Sequence, residues 1–402
     1  MTAVYLYDDA RARAFEPFAL TRPGGELRAG ALLMRERWSR ALGAVVAGHV
    51  TSPTLEGFVE PGSSPVVAGE TIPAGSWIVN TRFAPSLALA QRGSATLVAS
   101  GRVAAVRVAD AIPTDDLADG ALALESLARR SEPPIEIAGW WMDEVWEYVD
   151  RLVPMLEADL PILGASMRVG VPPGAVGVGS HPVFVAEGAI VEPSVCFDTT
   201  AGPILLCPTS HVRSFTRLVG PLYVGEASIL ATDRIEASAI GDTCKVHGEM
   251  SNTIMIGHSN KGHEGFVGHS MMGRWVNLGA GTITSNLKIT YGPVHLWTPS
   301  GMRDTGMQFL GTLFGDHAKT GIGTPLTTGS VLGAGANVYG CETQPKVVAP
   351  FAWGEANEYE TYRVDKFLEA AERMMARRHV VLDNRMRVVL ERAHEARWSV
   401  ES

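Results

Sequence analysis

The stretch MGRWVNLGAGTI, residues 272–283, decides the fold. It contains two hexads, and each begins with an apolar residue followed by glycine, at Met272 and at Leu278. A period of six matches neither an α-helix nor a flat sheet, and it is typical of a parallel β-helix in which each hexad forms one short strand and one corner. The same spacing recurs in the pairs Val185 and Val191, Ile240 and Val246, and Leu332 and Val338.

The bulk composition limits the classes of protein to consider. A length of 402 residues with 46% hydrophobic content is enough for two or three domains. The net charge of −9 argues against general affinity for nucleic acid or anionic membranes, so a phosphate-bearing substrate requires a local basic site. No apolar run approaches the roughly 20 residues of a membrane span, and no signal peptide is apparent. Four cysteines without a CxxC pair fit the reduced thiols of a cytoplasmic protein, which is our expected location.

Three regions differ in texture, and we predict one domain for each. Residues 1–165 form a mixed α/β domain with a helix over 31–42 and an amphipathic linker helix over 139–159. Residues 166–352 form the β-helix, and residues 353–402 form a helical extension that caps or flanks it. The strands predicted for the first region cover residues 3–7, 77–80, 95–99 and 103–108.

The segment from Met250 to Asn286 carries the most specific motif. His263 precedes Gly268 by five residues, and the run NLGAGTITSN, residues 277–286, follows. This arrangement resembles the acetyltransferase half of the bifunctional N-acetylglucosamine-1-phosphate uridyltransferase/glucosamine-1-phosphate acetyltransferase family, GlmU. The resemblance implies a left-handed parallel β-helix built from hexapeptide repeats, a homotrimer, and acetyl-CoA or another acyl-CoA as the donor.

The resemblance also assigns roles within this motif. It makes His263 the general base, the Ala280 backbone amide the oxyanion donor, and Asn277, Phe266 and Asn286 contacts of the sugar. The chemistry agrees, because an amine attacking a thioester must lose a proton and imidazole titrates near neutral pH. A Gly-Ala-Gly corner leaves backbone N–H groups uncovered by side chains. The alternative is that His263 is an ordinary polar loop residue.

Two departures from the family leave the acceptor sugar open. Phe266 replaces a sugar-binding tyrosine, and the basic residue expected upstream falls near residues 251–252, so that Lys261 is the nearest cation. Arg213 and Arg217 either supply phosphate contacts, for which guanidinium groups are suited, or lie on a solvated loop.

Donor contacts are expected on later coils. Thr312, Ala334 and Ala336 occupy positions like those that line the CoA arm in the family, and Lys319 and Lys346 are candidate contacts for its phosphates. Residues 287–308 interrupt the hexads and are predicted to form a loop that shapes the binding face.

The first 38 residues resemble a divergent GlmU-like branch of the sugar nucleotidyltransferases, on the motifs Asp8-Asp9, Thr21-Arg22-Pro23 and Glu26-Leu27-Arg28. The glycine-rich phosphate loop of ordinary members is absent, since residues 8–16 contain no glycine. The resemblance implies an α/β nucleotidyltransferase-like domain, with a degenerate scaffold as the alternative. Asn80-Thr-Arg82 is a further candidate contact. The candidate nucleotide contacts of this nucleotidyltransferase-like domain are Asp8, Asp9, Arg11, Arg22 and Arg28, with Mg²⁺ on Asp8 or Asp9.

Three functions remain in competition at this point. The first is a GlmU-like transferase that binds a sugar phosphate and a nucleotide as small-molecule partners. The second is a non-catalytic scaffold that binds sugar nucleotides. The third is a zinc enzyme similar to γ-class carbonic anhydrases, since His258, His263 and His269 have comparable spacing, although we assign no metal ligand.

Overall fold

The computed structural model describes residues 3–88, 93–128, 132–356 and 358–399. The chain divides into two compact units. The first consists of Met1–Val145 together with Asp383–Ala396, and the second of Trp146–Leu382 together with Arg397–Ser402. No helix in the described part of the chain is both long enough and apolar enough to cross a membrane.

A mixed six-stranded sheet organises the first unit, in the order β11-β8-β9-β6-β1-β4. Strand β1 lies parallel to β4 and β6, while β9 is antiparallel to β6 and β8. Alternate residues of β1, Val4 and Leu6, pack on one side of the sheet with Trp38, Val79 and Phe83. The strands of this unit are β1 (Ala3–Tyr7), β2 (Arg28–Ala29), β3 (Leu32–Leu33), β4 (Val45–Val50), β5 (Thr71–Ile72), β6 (Trp77–Asn80), β7 (Phe83–Pro85), β8 (Thr96–Ala99), β9 (Arg102–Arg107), β10 (Ile112–Pro113), β11 (Ile135–Glu136) and β12 (Gly139–Trp141).

The five helices divide between the units. They are α1 (Met34–Leu42), α2 (Glu147–Asp150), α3 (Leu152–Leu163), α4 (Val364–Ala376) and α5 (Asn384–Glu395). Helix α1 begins three residues later than the sequence predicts, because β3 pairs with β2 instead, and it ends at Gly43 in the left-handed conformation (φ 59°). Helix α5 lies in the first unit and α4 in the second.

The linker helix predicted over residues 139–159 is wrong in its first third. Strand β12 covers Gly139–Trp141 and pairs antiparallel with β7, and α-helix begins only at Glu147. The Trp141 ring lies 5.1 Å from the Phe83 ring, and its Nε1 donates to the Ala99 carbonyl at 3.0 Å. These long-range contacts fix an extended backbone that the amphipathic pattern could not reveal.

The second unit contains the predicted parallel β-helix, of about ten coils. One face is a ten-stranded sheet in the order β13-β15-β18-β21-β24-β26-β28-β33-β36-β38, and a fourteen-stranded sheet forms the other faces. Its strands are β13 (Arg168–Val169), β14 (Val176–Gly179), β15 (Val183–Val185), β16 (Ile190–Val191), β17 (Cys196–Thr199), β18 (Ile204–Leu206), β19 (His211–Val212), β20 (Thr216–Val219), β21 (Leu222–Val224), β22 (Ile229–Ala231), β23 (Asp233–Glu236), β24 (Ala239–Asp242), β25 (Lys245–Ser251), β26 (Ile254–Gly257), β27 (Asn260–Gly268), β28 (Met271–Arg274), β29 (Asn277–Leu278), β30 (Ile283–Thr284), β31 (His295–Thr298), β32 (Gly301–Asp304), β33 (Thr312–Phe314), β34 (Lys319–Thr320), β35 (Pro325–Leu326), β36 (Ser330–Leu332), β37 (Asn337–Val338), β38 (Val347–Val348), β39 (Ala352–Glu355) and β40 (Glu358–Thr361).

Stacked apolar side chains hold successive coils together. In the ten-stranded sheet, residues at the same register position pair from coil to coil and are buried, so each coil covers its neighbours' apolar surface. This stack contains Leu206, Val224, Ile240, Met255, Met272, Phe314, Leu332 and Val348. The hexad positions that predicted the fold are therefore its core.

Candidate active site

The corner that carries His263 is a bulge in β27. Strands β25 and β27 pair on both sides of this corner, but Gly248 alone faces the three residues His263-Glu264-Gly265. The extra residues project outward and leave His263 exposed. Gly248 has φ 90°, and a Cβ there would lie 2.6 Å from Lys261 Nζ, so the close packing under the bulge requires glycine.

The Gly279-Ala280-Gly281 corner presents one unused amide. The Gly279 N–H donates to the Thr320 carbonyl and the Gly281 N–H donates to the Glu264 carbonyl, each at 3.1 Å. Among the described residues, the Ala280 N–H donates no hydrogen bond. The bond from Gly281 ties this corner to the bulge of His263, so a fixed histidine and a free N–H belong to one rigid framework.

A cavity of about 840 Å³ brings these two corners together. Its walls come from consecutive coils of the β-helix and from the end of α4. The residues that line it are Lys245, His258, Asn260, Gly262, His263, Trp275, Asn277, Leu278, Gly279, Ala280, Lys319, Ile322, Arg373, Met374, Arg377 and Arg378. Four residues predicted from the sequence, His263, Asn277, Ala280 and Lys319, are thus neighbours in one cavity.

Two side-chain hydrogen bonds in series link Asn277 to the end of α4. Asn260 Nδ2 donates to Asn277 Oδ1 at 3.2 Å, and Arg378 Nη2 in turn donates to Asn260 Oδ1. Each of these groups fixes the orientation of the next. The Asn277 side chain is therefore held in place for a ligand.

The first unit has a smaller cavity of about 350 Å³ beyond the carboxyl ends of β1 and β6. Arg82 is central to it, with Nη2 lying 2.7 Å from Asp9 Oδ2 and Nη1 lying 2.7 Å from Asp143 Oδ1. Arg102 pairs with Asp143 at 2.9 Å and lies 3.7 Å from the centre of the Trp141 ring. The lining residues are Asp9, Ala10, Arg11, Asn80, Arg82, Arg102, Val103, Gly120, Ala121, Leu122, Ala123, Leu124, Glu125 and Trp141.

Comparison with known proteins identifies this first region. Residues 4–167 match the sugar nucleotidyl transferase family model. Over these residues the chain is similar to sugar nucleotidyl transferases. The predicted resemblance of the chain to GlmU-like bifunctional enzymes is also confirmed, because curated relatives of that kind match at 25–27% identity.

Two relatives show the extent of the similarity. A bifunctional sugar-1-phosphate nucleotidylyltransferase/acetyltransferase from Sulfurisphaera tokodaii is 27% identical, over 51% of this chain and 46% of the relative. The bifunctional protein GlmU of Methanocaldococcus jannaschii is 27% identical, over 50% of this chain and 44% of the relative. The chain thus spans about half the length of the curated relatives that it matches.

Solved structures that match part of this chain include two acyltransferases. One is AntD, an N-acyltransferase from Bacillus cereus, with a TM-score of 0.22 and 14% identity, over 51% of this chain and 92% of that one. The other is a UDP-N-acetylglucosamine acyltransferase, with a TM-score of 0.23 and 13% identity, over 48% of this chain and 71% of that one.

In the first unit, the structure separates the five predicted nucleotide contacts. Asp9 and Arg11 line the 350 Å³ cavity, whereas Asp8, Arg22 and Arg28 are buried outside its lining. The Asp8 carboxylate accepts the Gly24 N–H and two threonine hydroxyls, Arg22 pairs with Glu60 at 3.0 Å, and Arg28 donates to the Ala31 carbonyl. Their contacts hold the loop between β1 and α1.

Asp9 is ionised in this unit. Burial alone would raise the pKa of Asp9, but the hydrogen bonds and charge of Arg82, with hydrogen bonds from Asn80 and the Ala12 amide, lower it below its ordinary value. The sequence motif Asn80-Thr-Arg82 therefore meets Asp9 at the cavity, as its place after a strand allowed.

Phe266 and Asn286 lie together but outside the 840 Å³ lining. A Cβ on Gly268 would contact both side chains, which places them side by side. Asn286 Nδ2 lies 2.9 Å from His269 Nδ1, and the His269 ring stacks on Phe309 at 5.3 Å. Burial lowers the pKa of His269 to about 4, so this imidazole is neutral at neutral pH. The sugar-binding roles of Phe266 and Asn286 stay predictions.

The predicted donor contacts also occupy different environments. Thr312 and Ala334 are buried within the β-helix, where the Thr312 N–H donates to Ser270 Oγ at 3.0 Å and the Ala334 carbonyl accepts the Phe351 N–H at 2.8 Å. Lys319 lines the cavity, its Nζ donates to the His317 carbonyl at 2.9 Å, and burial lowers its pKa to about 8. The role of each in binding CoA stays a prediction.

Sequence analysis missed the cations that face His263 across the cavity. Lys245 comes from an earlier coil, while Arg373, Arg377 and Arg378 come from the end of α4. Arg213, predicted as a phosphate contact, is exposed and contributes to lowering the pKa of Lys245, after burial, Arg378 and Arg377. The only hint in the sequence was that Arg373, Arg377 and Arg378 fall within six positions at the end of a helix.

The histidines considered for zinc do not converge in the described part of the chain. His258 and His263 line the 840 Å³ cavity, whereas His269 contacts Asn286 outside the lining. Within the described ranges, no group of three or more His, Cys, Asp or Glu side chains is placed to hold a metal ion.

Proposed function

We propose that this chain transfers an acyl group from an acyl-CoA, such as acetyl-CoA, to the amine of an amino-sugar phosphate in the 840 Å³ cavity. The observation that carries the proposal is the presence, in one cavity, of the exposed His263 and the unbonded Ala280 N–H. A base and a fixed oxyanion donor are the two groups that acyl transfer to an amine requires.

The proposed reaction uses each group once. The amine attacks the thioester carbonyl and passes a proton to the His263 imidazole, while the Ala280 N–H donates to the oxygen that gains negative charge. Collapse of the tetrahedral intermediate forms the amide C–N bond and breaks the C–S bond. The imidazolium then returns its proton to the departing CoA thiolate. Asn277, held by Asn260, orients the sugar.

For the first unit we propose nucleotide or UDP-sugar binding in the 350 Å³ cavity, with nucleotidyl transfer from an NTP to a sugar 1-phosphate as the activity to test. The match of residues 4–167 to the family model supports it. Mg²⁺, which the family implies, does not fit the carboxylates as they are arranged. Both Asp9 oxygens accept hydrogen bonds from Arg82, and Asp8 accepts three within the protein. A binding domain without turnover is therefore the competing function.

The remaining parts of the proposal concern assembly and location. A homotrimer in the cytoplasm is what the resemblance to GlmU implies, and the described residues include no membrane-spanning helix. Analytical ultracentrifugation of the purified chain tests the assembly directly, and a monomer at micromolar concentration would contradict it.

The test of acyl transfer is release of free thiol from acetyl-CoA in the presence of amino-sugar phosphates. Replacing His263 with Ala should lower turnover by about 10²–10⁴-fold, since a positioned general base contributes that much. His181→Ala removes an exposed histidine of an early coil and serves as the matched control. Full turnover in the His263 variant would overturn the assignment, and binding without thiol release in the unaltered chain would favour a scaffold.

A further inference from the structure

The 840 Å³ cavity collects positive charge that no described lining carboxylate offsets. Five of its described lining residues are basic, namely Lys245, Lys319, Arg373, Arg377 and Arg378, and none is Asp or Glu. The chain as a whole carries a net charge of −9. Such a concentration of one sign in a cleft attracts ligands of the other sign.

These cations are poorly neutralised by the protein itself. Arg373 pairs with Glu369 at 3.1 Å, but Arg378 donates to the neutral Asn260 and Lys319 to a carbonyl. Within the described ranges, Lys245 and Arg377 form no ion pair. Burial lowers the pKa of Lys245, and the like charges of Arg378, Arg377 and Arg213 add to that effect. The carbonyl end of α4 offsets part of this repulsion.

We propose that this cluster binds a group with two or more phosphates, in the manner of a nucleoside diphosphate. The proposal rests on the proposed function, because the other end of the same ligand would have to reach His263. A single phosphate is satisfied by two or three charged donors, whereas five cations match a diphosphate with an additional phosphate or sugar. A cavity of about 840 Å³ is large enough for a ligand of that size.

Two ligands of this class are candidates, and their chemistry separates them. One is the 3′-phosphoadenosine diphosphate of CoA, and the other is the diphosphate of a nucleotide-linked acceptor sugar. Calorimetric titration of the full chain with CoA, 3′-dephospho-CoA, UDP and UMP distinguishes them. Tight binding of CoA with loss on removing the 3′-phosphate assigns the site to the donor. Binding of UDP over UMP that is lost when Arg373 and Arg377 are replaced with Ala assigns it to the acceptor, since UDP bound in the 350 Å³ cavity of the first unit would be retained in that variant.

The decisive variant is Arg373→Ala combined with Arg377→Ala, since both side chains are exposed and their removal leaves the β-helix core unchanged. Affinity for the diphosphate ligand should fall by about 100-fold, or tenfold for each charge-assisted contact. Arg363→Ala removes an exposed arginine beside the same helix, one that pairs with Asp365, and should leave affinity unchanged. Equal affinities in the double variant and this control would overturn the proposal, as would UDP and CoA binding no tighter than UMP.

Failure of this inference and failure of the proposed function give different results. If the arginines govern binding but no acyl-CoA yields thiol, the cluster stands and acyl transfer fails. If turnover depends on His263 while the double variant binds CoA and UDP as the unaltered chain does, only the cluster fails.

A second, independent observation concerns Lys261. It pairs in register with Val246 and Leu278, both buried core residues, and its own side chain is 1% exposed. A lysine therefore occupies an interior position where the hexad pattern requires an aliphatic side chain. Its Nζ donates to the His247 carbonyl at 2.9 Å and to the His263 carbonyl across the bulge.

We infer that Lys261 is a positioning residue that holds the bulge carrying His263. Burying an ammonium group costs free energy, and here its contacts are made at the corner that presents the base. Lys261→Met supplies the aliphatic chain that the stack prefers, so the fold should persist. In this variant kcat should fall at least tenfold with little change in KM, because the base is misplaced while the cavity's ligand contacts remain.

The conservative variant Lys261→Gln keeps an N–H donor and should recover part of kcat. A variant at a neighbouring core position, Val246→Ala, tests general loosening of the stack. Unchanged kcat in Lys261→Met, or equal losses of kcat in the Met, Gln and Val246 variants, would refute the positioning role. Circular dichroism melts confirm that each variant is folded before its rates are compared.

Discussion

The two cavities contain similar residue types but use their charges in opposite ways. In the cavity of the first unit, Arg82 and Arg102 are neutralised by Asp9 and Asp143. In the β-helix cavity, five basic residues meet no lining carboxylate. Paired charges hold a wall in place, whereas unpaired charges remain available for a ligand. The comparison teaches that the distribution of partners, rather than the count of arginines, distinguishes a cavity wall held by internal ion pairs from a surface open to an anion.

The largest expected effect lies at the β-helix corner. Ala280→Pro removes the N–H that we assign to the oxyanion and should lower kcat by about 10²–10³-fold, the cost of losing one such donor. Thiol release at saturating acetyl-CoA measures it. Ala280→Ser keeps the amide and should retain activity close to that of the unaltered chain. Similar rates for the Pro and Ser variants would show that the amide has no such role.

The next effect should appear in the other cavity and change stability. Arg82 is 7% exposed, so Arg82→Ala removes the ion pair with Asp9 and one of the arginine partners of Asp143, and it should lower the free energy of unfolding of the first unit by about 2–4 kcal/mol. Chemical denaturation followed by tryptophan fluorescence measures this. The exposed Arg107→Ala is the control. If Arg82→Ala instead weakened binding of CoA without destabilising the fold, the contrast between the cavities would fail.

The buried Lys261 should make the free energy of unfolding depend on pH. Its pKa is lowered by burial to about 8 from 10.5, so between these values the folded chain has released a proton that the unfolded chain still binds. Stability contributed by this group therefore rises as pH increases from about 8 to 10.5. Relative to Lys261→Met, the unaltered chain should gain on the order of 1–2 kcal/mol across that window, measured by urea denaturation at its two ends. A parallel pH dependence in the two proteins would contradict this.

The smallest effect concerns two exposed arginines, Arg213 just after β19 and Arg217 in β20. Arg213 acts electrostatically on Lys245, whereas Arg217 pairs with Asp198 at 2.6 Å. Arg213→Ala should weaken diphosphate binding about two- to threefold at low salt, and Arg217→Ala should not change it, since an exposed pair adds little to a distant ligand. Calorimetry at two ionic strengths checks both. A larger loss of diphosphate binding in Arg217→Ala than in Arg213→Ala would place the anion site near Arg217 instead.

The sequence predicted the β-helix because its signal is periodic and repeated. Positions such as Met272 and Leu332 recur at the same register position of successive coils, so each repeat confirms the last. The prediction of a helix over residues 139–159 was wrong for residues 139–146, and the reason is the opposite one. Trp141 has an amphipathic neighbourhood, but its contacts with Phe83 and Ala99 lie more than 40 residues away and override local preference.

The candidate site was predictable only where it lies in one short motif. His263, Asn277 and Ala280 are close in sequence and meet in one cavity. Arg373 and Arg377 reach the same cavity from a helix that follows the β-helix, and no local pattern connects them with His263. Asp8 and Arg22 illustrate a second difficulty. Both are charged residues of a motif and both are buried in contacts within the protein, and the motif alone does not distinguish such a structural contact from a ligand contact.

The last helix has a consequence for how the chain acquires its structure. Helix α5 buries Met386, Val389 and Leu390, and Arg392 Nη1 donates to the Glu56 carbonyl of the first unit at 2.8 Å. A ribosome releases this helix only after the entire β-helix has been synthesised. The first unit therefore waits for α5 during translation, with the surface that α5 covers still open, until the β-helix has been synthesised.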